Sequence, residues 1–302
     1  MIELREATPA DRDAILALRA RCFPGDDPEK RDPRFWDWEF RDGRMFIAEE
    51  QGRAVSHLGF VAQTYIVGGV RLPSLLAVDA MTDPEYRGQR LFGRVVQFAR
   101  DAIRKCGTGT PVCPAFSGAW QIRKAVAGGI SSGGWNAVDG ARVLIRAFVQ
   151  ALGGDGAPTS DVHAMAAIAR EFFRDAYVER TPAWLTWRYF DNPLWRYDVT
   201  ATDAAWLVTR RTKLKGFDTL AVVDIAWNSG RSGDARALLA RALRTSRTTL
   251  AATLVTRAHP AYGWFLRRGF LPGPHRFNFL LNDFTLGTRP KWALAWGDTD
   301  HL

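Results

Sequence analysis

One change of hydrophobic period constrains this chain more than any other feature. Residues 75–82, Leu-Leu-Ala-Val-Asp-Ala-Met-Thr, are a nearly continuous apolar run interrupted by Asp79, the pattern of a strand covered on both faces. Beyond the turn-forming residues Asp83 to Gly88, the apolar residues Leu91, Val95, Phe98, Ala102 and Ile103 recur at helical spacing. An amphipathic helix is therefore predicted from Gly88 to about Lys105. Where such a strand turns into such a helix, unpaired amides and the positive helix end converge, and an anion is favoured there. Gly88 lets the main chain approach a phosphate closely, and Arg87 and Arg90 offer charge-assisted hydrogen bonds. The turn is neither a Walker A loop, since it lacks Gly-Lys-Ser/Thr, nor a dinucleotide GxGxxG.

The rest of the chain supplies the elements such a unit needs. Ile2 and Leu4 alternate as a short strand. Thr8-Pro9 opens a helix with Ile15, Leu18 and Cys22 on one face, and Phe23-Pro24-Gly25-Asp26 ends it. Residues 33–40 read as a short aromatic helix. Met45–Ala48 and Val55–Val67, joined through Glu50-Gln51-Gly52-Arg53, predict an antiparallel meander. Residues 110–116 predict a strand in which Pro111 and Pro114 argue against full pairing, and 143–149 predict another. Residues 151–158 have linker composition. A weaker copy of the same grammar follows: an aromatic helix at 183–190, strands at 206–210 and 219–226, a helix at 234–244, a strand at 249–255, a helix at 260–268 and a strand at 277–281.

With 302 residues, 47% of them hydrophobic and 12% aromatic, the chain can bury two cores. The predicted fold class is α+β with mixed α/β sheets, as a domain over residues 1–150, a linker over 151–158 and a diverged second domain over 159–302.

Residues 83–92, Asp-Pro-Glu-Tyr-Arg-Gly-Gln-Arg-Leu-Phe, resemble the coenzyme-binding turn of the GNAT superfamily of acyl-CoA-dependent N-acyltransferases. In that family an Arg/Gln-x-x-Gly-x-Gly/Ala turn follows the fourth strand, behind an acidic-Pro-x-Tyr lead-in. Arg87 matches the first motif position, whereas Arg90 stands at the central Gly and Phe92 at the second small residue. Arg90 either pairs with a phosphate or obstructs one. The resemblance covers the order of elements over 1–148 and, in outline, 160–284. It implies two tandem GNAT-like domains, each a central mixed sheet flanked by helices with a splayed strand pair, the second domain degenerate. It further implies acetyl-CoA, or another acyl-CoA, held by Ala80, Met81, Thr82, Arg87, Gly88, Gln89, Arg90, Leu91 and Phe92, with pantetheine lying between the strands at 77–82 and 110–116. The implied reaction is N-acetyl transfer to a primary amine of a small molecule or peptide by direct attack.

Direct attack needs a base for the substrate ammonium and an acid for the departing thiolate. Candidate bases are Asp79, a carboxylate in an apolar strand, and His57 in the meander. Each has an equally simple structural role, Asp79 as a carboxylate satisfied by main chain or Arg, and His57 as a core or rim histidine. The family's Tyr acid has no counterpart: alignment on Gly129 puts Ala125 there, and alignment on Gly269 puts Phe265 there. Cys113 has no visible base and reads as a packed thiol. In the second half, Asn228-Ser229-Gly230-Arg231-Ser232-Gly233-Asp234 occupies the corresponding turn, and an Asp at that helix start predicts no coenzyme. Trp184, Trp187, Trp195, Trp206 and Trp264 either pack its core or shape an acceptor cleft.

The net charge of +9 rests mostly on Arg spread along the chain, which describes solvated faces and ion pairs rather than a nucleic-acid stripe. Three cysteines without a CxxC pair and five scattered histidines predict no metal site and reduced thiols. No long uncharged apolar run or signal-peptide pattern is present, so a cytoplasmic protein without a membrane span is expected. Arg90 and the missing Tyr also motivate an alternative, a degenerate acyl-CoA-binding sensor or scaffold without turnover.

Overall fold

The computed structural model describes residues 1–25, 28–105, 114–117, 136–147, 156–281 and 290–299. Two units interleave along the chain: the first comprises residues 1–64, 71–138 and 278–289, and the second 65–70, 139–277 and 290–302.

In the first unit, β1 (Glu3–Glu6), α1 (Arg12–Cys22) and α2 (Pro33–Glu39) precede β2 (Arg44–Glu50) and β3 (Arg53–Val67), with β1, β2 and β3 joined antiparallel. β4 (Val70–Thr82) pairs with β3 and leads into α3 (Leu91–Lys105). Of the helical stripe seen in the sequence, Leu91, Val95 and Ile103 are buried and Phe98 and Ala102 half-buried; with Val96 and Ala99 of α3 they pack against Phe46 and Ala48 of β2 and Val55, Leu58 and Phe60 of β3. His57 and Gly59 meet Phe40 at the end of α2, where a Cβ on Gly59 would lie 2.4 Å from the ring. Cover on both faces explains why residues 54–61 are buried without alternation. β5 (Pro114–Ser117) pairs antiparallel with residues 278–281, while Pro111 lies outside the described residues.

The second unit contains β6 (Asn136–Ala147), β7 (Ala157–Pro158), α4 (Val162–Phe172), β8 (Ala176–Val178) and α5 (Pro182–Leu185), the last continued by a π-turn over Thr186–Phe190. β9 (Asp198–Ala201), β10 (Ala205–Leu214), β11 (Phe217–Trp227), α6 (Ser232–Ser246), β12 (Leu250–Thr256), α7 (Tyr262–Leu266), β13 (Leu271–Leu281) and β14 (Trp292–Ala293) follow. Its main sheet runs β13-β6-β12-β11-β10-β9-β7. The β11–β12 pair is parallel, with α6 as the crossover, and the remaining registered pairs are antiparallel, which makes the sheet mixed.

Two elements of this unit extend the sequence prediction. α4 is capped by Asp161, whose carboxylate accepts from the Ala164 amide at 2.9 Å, and it buries Met165, Ala166, Ile168, Ala169 and Phe172. The segment 290–299 docks through β14, parallel to β8, and through Thr256, whose amide donates to the Leu294 carbonyl at 3.0 Å. All five tryptophans singled out in the sequence are buried and pack this core. Beside them Arg180 is enclosed, donating to Asp224 at 2.8 Å and pairing with Asp298 at 2.9 Å. Tyr189 donates to Asp224 at 2.9 Å. Burial pushes the Asp298 carboxyl up to about 6 against the pull of Arg180.

Candidate active site in the first unit

β4 breaks its own alternation at Asp79. Ser74, Leu76 and Val78 are buried at even positions, and then Met81 at an odd one. Asp79 takes a left-handed φ of 49°, so it is the extra residue of a β-bulge. Arg19 of α1, itself 5% exposed, forms an ion pair with the Asp79 carboxylate. His57 contacts the Asp79 carbonyl through Nδ1 at 2.8 Å. A carbonyl can only accept, so Nδ1 carries the proton, and Nε2 has no partner among the described residues. Burial pushes the His57 pKa down, Asp79 resists the fall and Arg19 adds to it, which keeps the ring neutral at neutral pH. The structure thus brings together the two residues considered as bases, with the carboxylate of one engaged by Arg19 and the other fully enclosed.

The lead-in to the turn is held just as firmly. Ser56 donates to the Met81 carbonyl at 2.9 Å, and the Asp83 amide donates to the Val55 carbonyl at 2.9 Å. The Asp83 side chain is 1% exposed and accepts from Arg21 Nε at 2.7 Å, from Arg53 Nη2 at 2.8 Å and from the Glu85 amide at 3.2 Å. Burial works against its ionisation, but these hydrogen bonds outweigh it and hold the carboxyl below the usual range. Tyr86 donates to Glu50 at 2.6 Å, so both ends of the acidic-Pro-x-Tyr segment are tied to the β2–β3 hairpin.

Past this anchor the main chain is left-handed twice, at Gly88 with φ 81° and at Arg90 with φ 57°. Arg90 therefore adopts the conformation for which glycine is the usual residue, at a cost of roughly 1–2 kcal/mol. A Cβ on Gly88 would meet nothing within 4 Å, so the loop is open to a close-lying ligand. The Arg94 amide bonds the Arg90 carbonyl at 3.2 Å, and the amides of Leu91, Phe92 and Gly93 precede the helical ladder. No acidic residue stands in the first turn of α3, and Arg87 and Arg90 are exposed beside it. Arg87 Nε donates to the Thr82 carbonyl at 3.1 Å, and Gln89 to the Glu85 carbonyl at 3.2 Å.

The side chains of Met81 and Leu91 are buried, and Phe92 packs against the core beside Leu91. Met81 and Leu91 thus turn their side chains into the core, whereas Phe92 is half-buried and the Ala80 side chain is exposed. Among the described residues the edge of β4 away from β3 has no strand partner.

The corresponding turn of the second unit differs. Asp234 stands in the first turn of α6 and binds Arg231 at 2.9 Å, and that hydrogen bond draws the carboxyl below its usual range. Phe265 is fully buried in its core, whereas Cys106, Cys113, Ala125 and Gly129 lie outside the described residues. Cys22 is buried, and burial pushes its thiol up while Arg87 opposes the shift. Among the described residues no group of three or more His, Cys, Asp or Glu is placed to hold a metal ion. Among the described residues no helix is long and apolar enough to cross a membrane.

Residues 3–117 match the family model described as an acetyltransferase (GNAT) domain. Solved structures resemble most of the chain. A GCN5-related N-acetyltransferase from Kribbella flavida is 14% identical, with 93% of this chain and 71% of that one covered at a TM-score of 0.67. One from Anabaena variabilis ATCC 29413 is 10% identical, with 93% and 72% covered at 0.67. Saccharomyces cerevisiae N-myristoyltransferase with bound myristoyl-CoA is 11% identical, with 94% and 79% covered at 0.63. No curated protein matches the chain by sequence. At these identities the solved structures speak for the fold, a GNAT-like one, and the match to the acetyltransferase (GNAT) domain model lies over residues 3–117, which include the β4–turn–α3 unit.

Proposed function

We propose that the first unit binds acetyl-CoA and transfers its acyl group to a primary amine of a small molecule or peptide by direct attack, while the second unit is a diverged GNAT-like copy without coenzyme. One observation carries this reading: the turn from β4 to α3 is left-handed at both Gly88 and Arg90 and opens onto a helix start that holds arginines and no carboxylate. Those residues fit a pyrophosphate. The open face of Gly88 admits it, the amides at the start of α3 can donate to it, and Arg90 offers a guanidinium where the family motif has hydrogen. The edge of β4 that has no strand partner among the described residues suits the amide groups of pantetheine, with Ala80 to Thr82 nearest the thioester.

Calorimetric titration of acetyl-CoA tests the reading with Arg87→Ala and Arg90→Gly alongside the wild type. Loss of one charge-assisted hydrogen bond should weaken binding about tenfold or more. Arg90→Gly preserves the left-handed turn, so weaker binding marks Arg90 as a phosphate partner and tighter binding marks it as an obstruction. A screen of amines for release of free CoA thiol then tests transfer. Binding without thiol release from any amine would reject catalysis, and absence of binding in the wild type would reject the site.

A further inference from the structure

We propose that Arg19 and His57 are positioning residues that clamp the Asp79 bulge and so set the path of the Ala80–Thr82 main chain; this rests on the acyltransferase reading above. A left-handed, non-glycine residue within a strand is strained and persists only where its surroundings over-determine it. Both polar ends of Asp79 are held by separate elements, the carbonyl by His57 of β3 at 2.8 Å and the carboxylate by Arg19 of α1. β3 then grips β4 at every second residue. His57 holds the carbonyl of Asp79, Ser56 that of Met81 at 2.9 Å, and the Val55 carbonyl takes the Asp83 amide at 2.9 Å. Ala80 and Thr82 lie between the gripped positions, and the Thr82 carbonyl accepts from Arg87 Nε at 3.1 Å.

The Nε2 of His57, without a partner among the described residues, supports this role. A fully buried imidazole with one nitrogen unpaired is costly beside Phe40, where an apolar side chain would pack without that penalty. What His57 alone supplies at this place is the Nδ1–H that faces the bulge carbonyl. The carbonyl is held by a neutral donor from β3 and the carboxylate by a cation from α1, so Asp79 is fixed from two separate elements.

The clamp acts at the acyl end of the site and leaves the helix end alone, which separates it from general support of the fold. Calorimetric titrations of acetyl-CoA and of adenosine 3′,5′-bisphosphate, which lacks pantetheine, are compared for wild type, His57→Leu, His57→Asn and Arg19→Met. His57→Leu and Arg19→Met should lose about tenfold in acetyl-CoA affinity, the effect of one misplaced hydrogen-bonding group, while bisphosphate binding stays within about twofold of wild type. His57→Asn, which can still set an N–H beside the Asp79 carbonyl, should recover most of the loss. Unchanged acetyl-CoA binding in His57→Leu, with both ligands bound by the wild type, overturns the clamp and leaves the acyltransferase reading standing. Equal losses for the two ligands overturn it as well, because they mark a general structural role. A wild type that binds neither ligand removes the acyltransferase reading and the clamp with it.

Discussion

Asp83→Asn is the most informative single change for the architecture of the turn. The wild-type carboxylate is 1% exposed and accepts two guanidinium donors and one amide within 3.2 Å. Asparagine keeps one acceptor oxygen and turns an NH2 toward an arginine. Hydrogen bonds to charged groups contribute about 1.5–3 kcal/mol each. The Arg21 and Arg53 side chains are 32% and 44% exposed, so water recovers part of what they lose. The expected net destabilisation is about 2–3 kcal/mol at pH 7, read from urea unfolding followed by circular dichroism and tryptophan fluorescence.

The pH dependence has a definite sign. The folded carboxyl titrates below its ordinary value, so its contribution is complete above the ordinary carboxylate range and is lost as pH falls through the folded value. The gap between wild type and Asp83→Asn must therefore close on acidification, because a protonated Asp83 is nearly isosteric with Asn. A gap under about 0.5 kcal/mol at pH 7, the scale of an ordinary surface change, or a gap that persists in strong acid, would refute the reasoning.

Further predictions concern both cores. Gly59→Ala should cost about 1–3 kcal/mol in chemical unfolding, since its Cβ would lie 2.4 and 2.6 Å from Phe40 ring atoms. Arg180→Met leaves Asp224 and Asp298 buried without their cation and should destabilise the second unit by about 3–5 kcal/mol. His259 is buried between Phe172 and Phe173, and burial, aided by Arg180, holds its pKa at about 3 against an ordinary 6.5. The unfolded chain therefore binds the extra proton, and stability should fall as pH drops below 6.5 by up to about 1.4 kcal/mol per unit until near pH 3. His259→Gln should remove that slope in pH-dependent unfolding.

The period change at Gly88 was enough to determine β4, α3 and the turn between them, because burial of a strand and of one helical stripe writes itself into the spacing of Leu76, Val78, Leu91 and Val95. The arginines of the turn and the resemblance to an acyl-CoA site were legible for the same reason: they are local. The left-handed conformation of Arg90 was not, since propensity alone assigns that position to glycine. Asp79 and His57 stood out as polar residues in apolar strands, but that Arg19, 60 residues away, meets the Asp79 carboxylate was not legible from either strand. Arg180, Asp224 and Asp298 carry no common motif and meet only in the folded second unit.

Likewise, no local signal told that residues 65–67 would pair with β8, or that residues 278–281 would leave the second unit to pair with β5. Periodicity records which face of an element is buried. Which distant element covers that face is decided by the closure of the whole chain around shared cores, where pairing, packing and charge satisfaction are settled together.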